Sequence, residues 1–397
     1  MRFLTNDFVN RDPRALLNTG KIATLSETAI PIKQYIKVTG SDTLQIEEGC
    51  IFSIFGGGVF KTEETQLSAS DLDTGSAFTV GKDYYIFLCD AGEGNDEVYK
   101  ISLNSTFPEG FGAANSRKIG GFHYGKCRKV NSALAPLNAS DEVRGTSWES
   151  SVFDGIVPRS VWTLAHRPKC NPEGMVYLSN GVWVDIYLSS DNGAGGLASA
   201  YDATPLTGTE GLNWYSFVER ALVVGKRLLT YEEFCMAAYG SPQGLADSND
   251  NAWTSTKNTG RQKTGYVANA VSSIGCRDCV GNVWEWLNEL ITRAEHTKFN
   301  GSGTFAAYDG GRAGQAYTNG NGHYHATNDG VWGWDTFSPF GDGYGNIYEY
   351  NDWSLVALLG GGRWYDGARA GARAVRLSNY PWHVYASFGA RCACDSL

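Results

Sequence analysis

The apolar residues of this 397-residue chain come in short runs cut off by Gly, Asp and Ser clusters, and that pattern limits its fold more than any other feature. Tyr35 to Val38, Cys50 to Phe55 and Tyr84 to Cys89 are runs of this kind. Runs of strand length bounded by turn-forming residues are what an all-β sandwich or barrel carries. Composition agrees: 49 Gly, 12 Trp, 21 Tyr and 18 Phe accompany only 3 Met. Such a chain is too aromatic to remain unfolded, and its glycine favours turn-rich β structure over a helical bundle. The balance of 33 basic and 42 acidic residues, net −9, argues against nucleic acid or an anionic membrane as partner, since either needs a basic face, and leaves room only for a local basic patch. No apolar run approaches the roughly 18 residues of a membrane-spanning helix. Residues 1–7 lack the apolar stretch of a secretory signal, so the expectation is a protein that neither inserts into a membrane nor exports itself.

Four regions follow from the pattern. Residues 1–33 read as a small N-terminal module or arm. Residues 34–130 read as a small β-rich, sandwich-like domain, 131–148 as a linker poor in strand formers, and 149–397 as one larger α+β domain. Within the last, Met175 to Leu178 and Val182 to Leu188 flank Ser179-Asn180-Gly181, a strong hairpin signal. The second run alternates, with Val182, Val184 and Ile186 expected on one side. Ser216 to Val223 is a plausible helix, and Thr230 with Glu233 three residues on forms a capping box that opens another. Residues 300–350 form a long Gly, Asn and aromatic stretch without period, a length that tends to be functional or inserted.

Three motifs stand in order inside the larger domain: Gly225-Lys226-Arg227-Leu228-Leu229-Thr230-Tyr231-Glu232-Glu233-Phe234, then Gly281-Asn282-Val283-Trp284-Glu285-Trp286, then the run from Leu359-Gly360-Gly361-Gly362-Arg363-Trp364 to Phe388-Gly389-Ala390-Arg391. Together they resemble the C-type-lectin-like fold of the formylglycine-generating enzymes and of the variable proteins of diversity-generating retroelements. Within that group the chain is similar to the phage major-tropism-determinant family of receptor-binding proteins. Tyr84 to Asp90 and Arg117 to Tyr124 match that family's middle domain in kind and order, so the resemblance covers residues 34–397. It implies an α+β architecture, a C-type-lectin-like C-terminal domain preceded by the β-rich one. It also implies a host cell-surface receptor, protein or glycan, as partner, and a place at the virion tail-fibre tip. The resemblance does not extend to residues 1–33, where the family carries a longer trimerising β-prism; a homo-oligomer is left open and a trimer is not implied.

Most other polar residues have ordinary structural readings. Trp284 and Trp286 read as core anchors, Lys226 and Arg227 as residues fixing a turn, and His123 as a satisfied structural histidine. Cys276 and Cys279 form a CxxC with neither a second CxxC nor a His pair, a weak zinc signal. His323 and His325 lie in the unpatterned stretch without a further ligand nearby, and Asp247-Ser248-Asn249-Asp250 lacks the alternation and Gly of a calcium loop. No metal or other cofactor is therefore expected. The oxidase reading needs a reactive cysteine pair near the C-terminus. The corresponding segment, Ala368 to Val375, holds no Cys, and Cys392 and Cys394 lie beyond it. A binding protein rather than an enzyme is expected; a cellular lectin-like surface protein of the same fold is the alternative, and an oxidase of the formylglycine-generating type the second.

The C-terminal segment has its own pattern. Arg363, Tyr365, Gly367 and Arg369 alternate with Trp364, Asp366 and Ala368, while His383, Tyr385 and Ser387 alternate with Val384, Ala386 and Phe388. Period-two alternation sends one set inward and the other outward. The outward set is rich in Arg, Tyr and His, where an ordinary solvated face carries Lys, Glu and Thr; Arg and Tyr anchor interfaces. The resemblance implies that 359–397 is the variable segment and that its ligand-binding, variable positions are Arg363, Tyr365, Gly367, Arg369, Arg376, Ser378, Asn379, His383, Tyr385, Ser387, Phe388 and Cys392. Adenine-directed change of AAC or AAT codons never yields Trp, Met, Lys, Glu or Gln, and none of these twelve is one of those five.

Overall fold

The computed structural model describes residues 34–54, 59–92, 97–132, 134, 136, 152–242, 260–292, 315–316, 346–349, 355–366 and 370–397. They are mostly β, with two α-helices, and divide into two compact units. The first is built from residues up to Gly125 and from 154–167, the second from 126–153 and 168–396.

In the first unit, β1 (Ile36–Val38), β2 (Leu44–Ile46) and β5 (Thr65–Leu67) form a three-stranded antiparallel sheet, and β3 (Ile51–Ser53) with β4 (Val59–Lys61) a hairpin. A five-stranded sheet joins β6 (Lys82–Asp90), β7 (Glu97–Ser102), β8 (Ser116–Arg128), β9 (Val152–Ile156) and β10 (Trp162–Thr163). Ile36, Leu44, Ile46, Phe60, Ile86, Leu88 and Ile119 make its core. Residues 154–167 were expected in the larger domain. They fall in the first unit because β9 and β10 both pair with β8. His123 is buried with its Nδ1 3.0 Å from Asp83 Oδ1, the structural role expected of it.

The second unit opens with the hairpin β11 (Met175–Ser179) and β12 (Val182–Asp185). Asn180 and Gly181 both have positive φ, 48° and 79°, the backbone a two-residue hairpin turn requires. The expected one-sided burial of β12 does not hold. Trp183, Val184 and Asp185 are all buried, because β12 lies between β11 and β22 (Cys392–Asp395) in the order β11-β12-β22-β15, with β15 at Arg227–Leu228. A small hairpin, β13 (Ser189–Asp191) and β14 (Leu197–Ser199), follows. Helix α1 spans Trp214–Val223, two residues earlier than expected, because the Asn213 side chain caps Ser216 N–H. Helix α2 (Tyr231–Ala238) starts on the expected capping box: Thr230 Oγ1 accepts from Glu233 N–H, and Glu233 Oε2 from Thr230 N–H.

The main sheet runs β17 (Gln315–Ala316), β18 (Asn346–Glu349), β20 (Gly371–Asn379), β19 (Leu355–Gly361), β16 (Trp284–Thr292) and β21 (Phe388–Ala390). The pairs β18/β20 and β16/β21 are parallel. Its core includes Trp214, Phe217, Trp286, Leu359, Ala374, Phe388 and Cys392. Trp284 and Trp286 are buried in it, as expected of anchors.

Candidate functional site

The C-terminal run enters the main sheet as β20, leaves it over residues 380–387 and returns as β21. Pro381 ends the strand pattern, since it cannot donate to a ladder. The resulting loop is held by backbone bonds from rigid neighbours. The N–H of Trp214, at the start of α1, donates to Pro381 O at 3.0 Å, Gly208 N–H to Tyr385 O at 3.0 Å, and Trp284 N–H to Ser387 O at 2.8 Å. Gly208 is required there, because a Cβ on it would fall on the backbone of Tyr385.

Upon this support stands a tier of exposed aromatic rings. Trp382 is 54%, Tyr385 47% and Val384 46% exposed. Tyr380 stacks on Trp382, centroids 4.8 Å apart and planes 21° from parallel, and lies 4.8 Å from the His383 ring. His383 meets Tyr385 edge-on at 5.5 Å. A polar chain runs beside the rings: Arg376 Nε donates to Ser378 Oγ at 3.0 Å, Ser378 Oγ to Asn379 Oδ1 at 3.2 Å, and Asn379 Nδ2 lies 3.0 Å from His383 Nδ1. Tyr380 N–H also points at that nitrogen, at 3.3 Å, so the contacts suit a neutral ring with Nδ1 as acceptor. Burial, then the charge of Arg376, hold the His383 imidazole below its ordinary pKa.

The Phe388 ring joins the tier to the core. Tyr385 packs 4.8 Å from Phe388, which is buried and meets Trp286 edge-on at 5.2 Å; the Arg376 guanidinium lies 5.5 Å from the same Phe388 ring. Below lies a buried ionic frame. Arg391 bonds Glu285 through Nε and Nη2, both at 3.0 Å, and donates its remaining N–H groups to the carbonyls of Asp185, Ile186 and Arg277. Lys226 Nζ meets Asp185 Oδ1 at 2.6 Å, and Arg227 forks onto Glu233 at 2.6 and 2.7 Å. Both residues of the Lys226-Arg227 pair are thus spent on internal ion pairs. Burial pushes the Glu285 carboxyl up, against the pull of Arg391.

Of the twelve residues expected to bind ligand, Arg376, Ser378, His383 and Tyr385 stand together at partly or largely exposed positions. Asn379 is buried but bonded into the same chain. Arg363 and Tyr365 form a second small group: the guanidinium sits 3.9 Å over the tyrosine ring, Tyr365 is 46% exposed, and Arg363 Nε pairs with Asp366 Oδ1 at 3.1 Å. Gly367 and Arg369 lie outside the described residues, as do His323, His325, 247–250 and most of 300–350. Ser387, Phe388 and Cys392 are buried.

The expected strand parity fails in both segments. Residues 363–366 form a turn closed by Arg363 N–H on Asp366 Oδ2 at 3.0 Å, although Tyr365 outward and Asp366 inward agree with the alternation. Residues 383–386 are loop, so Val384 and Ala386, expected inward, are exposed, and Ser387, expected outward, is buried by its carbonyl bond to Trp284. Phe388 faces inward as the alternation required. The alternation passed over Trp382 and Tyr380; the signal for them was Pro381, which turns the chain out and leaves the rings beside it without a sheet to pack on. Among the described residues no group of three His, Cys, Asp or Glu is placed to hold a metal, and no helix is long and apolar enough to cross a membrane.

Comparison with known proteins bears on this geometry. Residues 34–149 match the family model of the Mtd second domain. The tail fiber receptor-binding protein of Bordetella phage BPP-1 is 27% identical over 379 residues, covering 90% of this chain and 81% of that protein. The solved M1 variant of the Major Tropism Determinant superposes with a TM-score of 0.62 at 22% identity, over 91% of this chain and 83% of that one. The fold of this chain is tropism-determinant-like. The P3c variant gives a TM-score of 0.61 at 24% identity over the same shares, so the likeness of fold extends through both units.

Proposed function

We propose that the chain is a host-receptor-binding protein of a phage tail fibre, carried on the virion, and that its second unit is a C-type-lectin-like domain preceded by the small β-rich one. The C-terminal segment 359–397 is then the part diversified by a retroelement, and the site is non-catalytic. The observation that carries this reading is the exposed tier of Tyr380, Trp382, His383 and Tyr385 beside Arg376, seated on a buried frame. Aromatic and Arg side chains raised on a rigid support are the anchors of binding interfaces, and exposed apolar rings in a contiguous patch mark such sites. The similarity to a tail fiber receptor-binding protein supports the same reading. Arg376, Ser378, His383 and Tyr385 form the centre of the proposed site, Trp382 is added to it, and Arg363 and Tyr365 contribute a second contact. Phe388 and Cys392 are assigned to the frame.

Binding of the labelled full chain to a panel of bacterial strains tests this. Saturable binding to some strains, displaced by unlabelled chain and weakened in a variant carrying Arg376→Ala, Trp382→Ala and Tyr385→Ala, is the expected result. Binding that is equal in the variant, or unsaturable on every strain, contradicts it.

A further inference from the structure

The last strand carries a second pair of interacting groups, away from the aromatic tier. Pro168 and Ser396 form an antiparallel bridge, and Lys169 N–H donates to Asp395 O at 2.9 Å. Continuing that register by two residues sets Cys170 opposite Cys394. Directly opposed residues of an antiparallel pair have Cα atoms about 4.5–5.5 Å apart, inside the range that a disulfide spans. The two residues meet: Cys170 N–H donates to Cys394 Sγ at 3.3 Å. Both cysteines are free; Cys394 is buried and Cys170 half-buried, so the pair is open to small reagents from the Cys170 side.

We infer that Cys170 and Cys394 are an oxidation site, closing to a disulfide that ties the 168–170 segment to β22 once the protein leaves a reducing interior. Thiols inside a reducing cell stay reduced, whereas an oxidising exterior favours the bond. The oxidant is a small-molecule disulfide. One sulfur of the pair, as thiolate, attacks a sulfur of that disulfide and releases one small thiolate. The other sulfur gives up its proton to solvent, attacks the mixed disulfide and releases the second small thiol. The two cysteines lose two electrons, and the small disulfide is reduced to two thiols. The electrostatics favour the first step: the hydrogen bond from Cys170, backbone N–H groups and Lys226 bring the Cys394 thiol down to about 6, while Cys170 is pushed up. Cys392, two residues away, is not equivalent: it is buried, its Sγ lies 3.7 Å from Ser189 Oγ, and burial pushes it up to about 12.

The test is to incubate the native full chain with oxidised glutathione, alkylate it in denaturant and map its tryptic peptides without reduction. The expected product joins peptide 170–220 to peptide 392–397, with the link at Cys394 by fragmentation and Cys392 alkylated. Its formation is accompanied by a rise in Tm on oxidation that Cys170→Ser lacks, and Cys392→Ser leaves the link intact. Alkylation of all nine cysteines, glutathione adducts without the internal link, or a link made through Cys392 would each overturn the inference.

Discussion

The frame beneath the loop and the loop itself lie within a few residues of each other in sequence and obey opposite rules. At Phe388 to Cys392 every side chain is enclosed, and the charge of Arg391 is matched to Glu285 and three carbonyls. At Trp382 to Ala386 four of the five side chains are exposed, and the loop is held mostly through backbone bonds, from Gly208 to Tyr385 and from Trp214 and Trp284 to the flanking Pro381 and Ser387. A loop fixed by its backbone tolerates changes of side chain without losing its course. That arrangement suits a surface whose side chains change while its support stays the same, and it shows why the frame needs an ionic centre where the loop needs none.

The largest expected effect lies in the frame. Arg391→Met leaves Glu285 buried without a partner, and breaking a buried pair in this way typically costs about 3–5 kcal/mol. Urea unfolding should record a loss of that order; a loss below about 1 kcal/mol would mean that the frame does not depend on the pair. Next comes Gly208→Ala, whose Cβ falls on the Tyr385 backbone. Overpacking costs typically 1–3 kcal/mol, and cell binding should fall although residue 208 presents no side chain to a ligand. Unaltered binding and stability would show that the loop is not anchored there.

A smaller effect should follow pH. The folded-state pKa of His383 lies below its ordinary value, so the ring's contribution to stability is present above about 6.5 and is lost as pH falls through the lower, folded value. Protonating Nδ1 removes the acceptor facing Asn379 and Tyr380 and adds charge beside Arg376. Melting temperature measured from pH 7.5 downward should therefore fall more in the natural protein than in His383→Gln. Parallel curves would remove His383 from the loop's support. Least of all, Val384→Asp and Ala386→Asp should change stability by no more than about 0.5 kcal/mol, as exposed substitutions do. Unfolding by either would restore the strand parity that the loop contradicts.

Much of this was legible in the residues. The Asn180-Gly181 turn, the Thr230/Glu233 capping box and the anchoring of Trp284 and Trp286 follow from local chemistry, and each stands where local chemistry puts it. The parity of 383–386 was not legible, because alternation describes a strand and Pro381 breaks the strand before the alternating residues begin. Burial of β12 on both faces was hidden for a different reason: its second neighbour, β22, comes from the far end of the chain. The placing of Arg391 was hidden likewise, since its partners lie more than a hundred residues away.

The most direct test sets Trp382→Ala with Tyr385→Ala against Phe388→Ala, with melting curves and cell binding measured on the same preparations. Truncating interface anchors typically costs about 2 kcal/mol or more each, whereas truncating a buried Phe costs about 3–5 kcal/mol of stability. The double variant should lose cell binding while its Tm stays within a degree or two of the natural protein's, and Phe388→Ala should lower Tm markedly. Full cell binding by the double variant at an unchanged Tm would contradict the assignment of the exposed tier as the binding face.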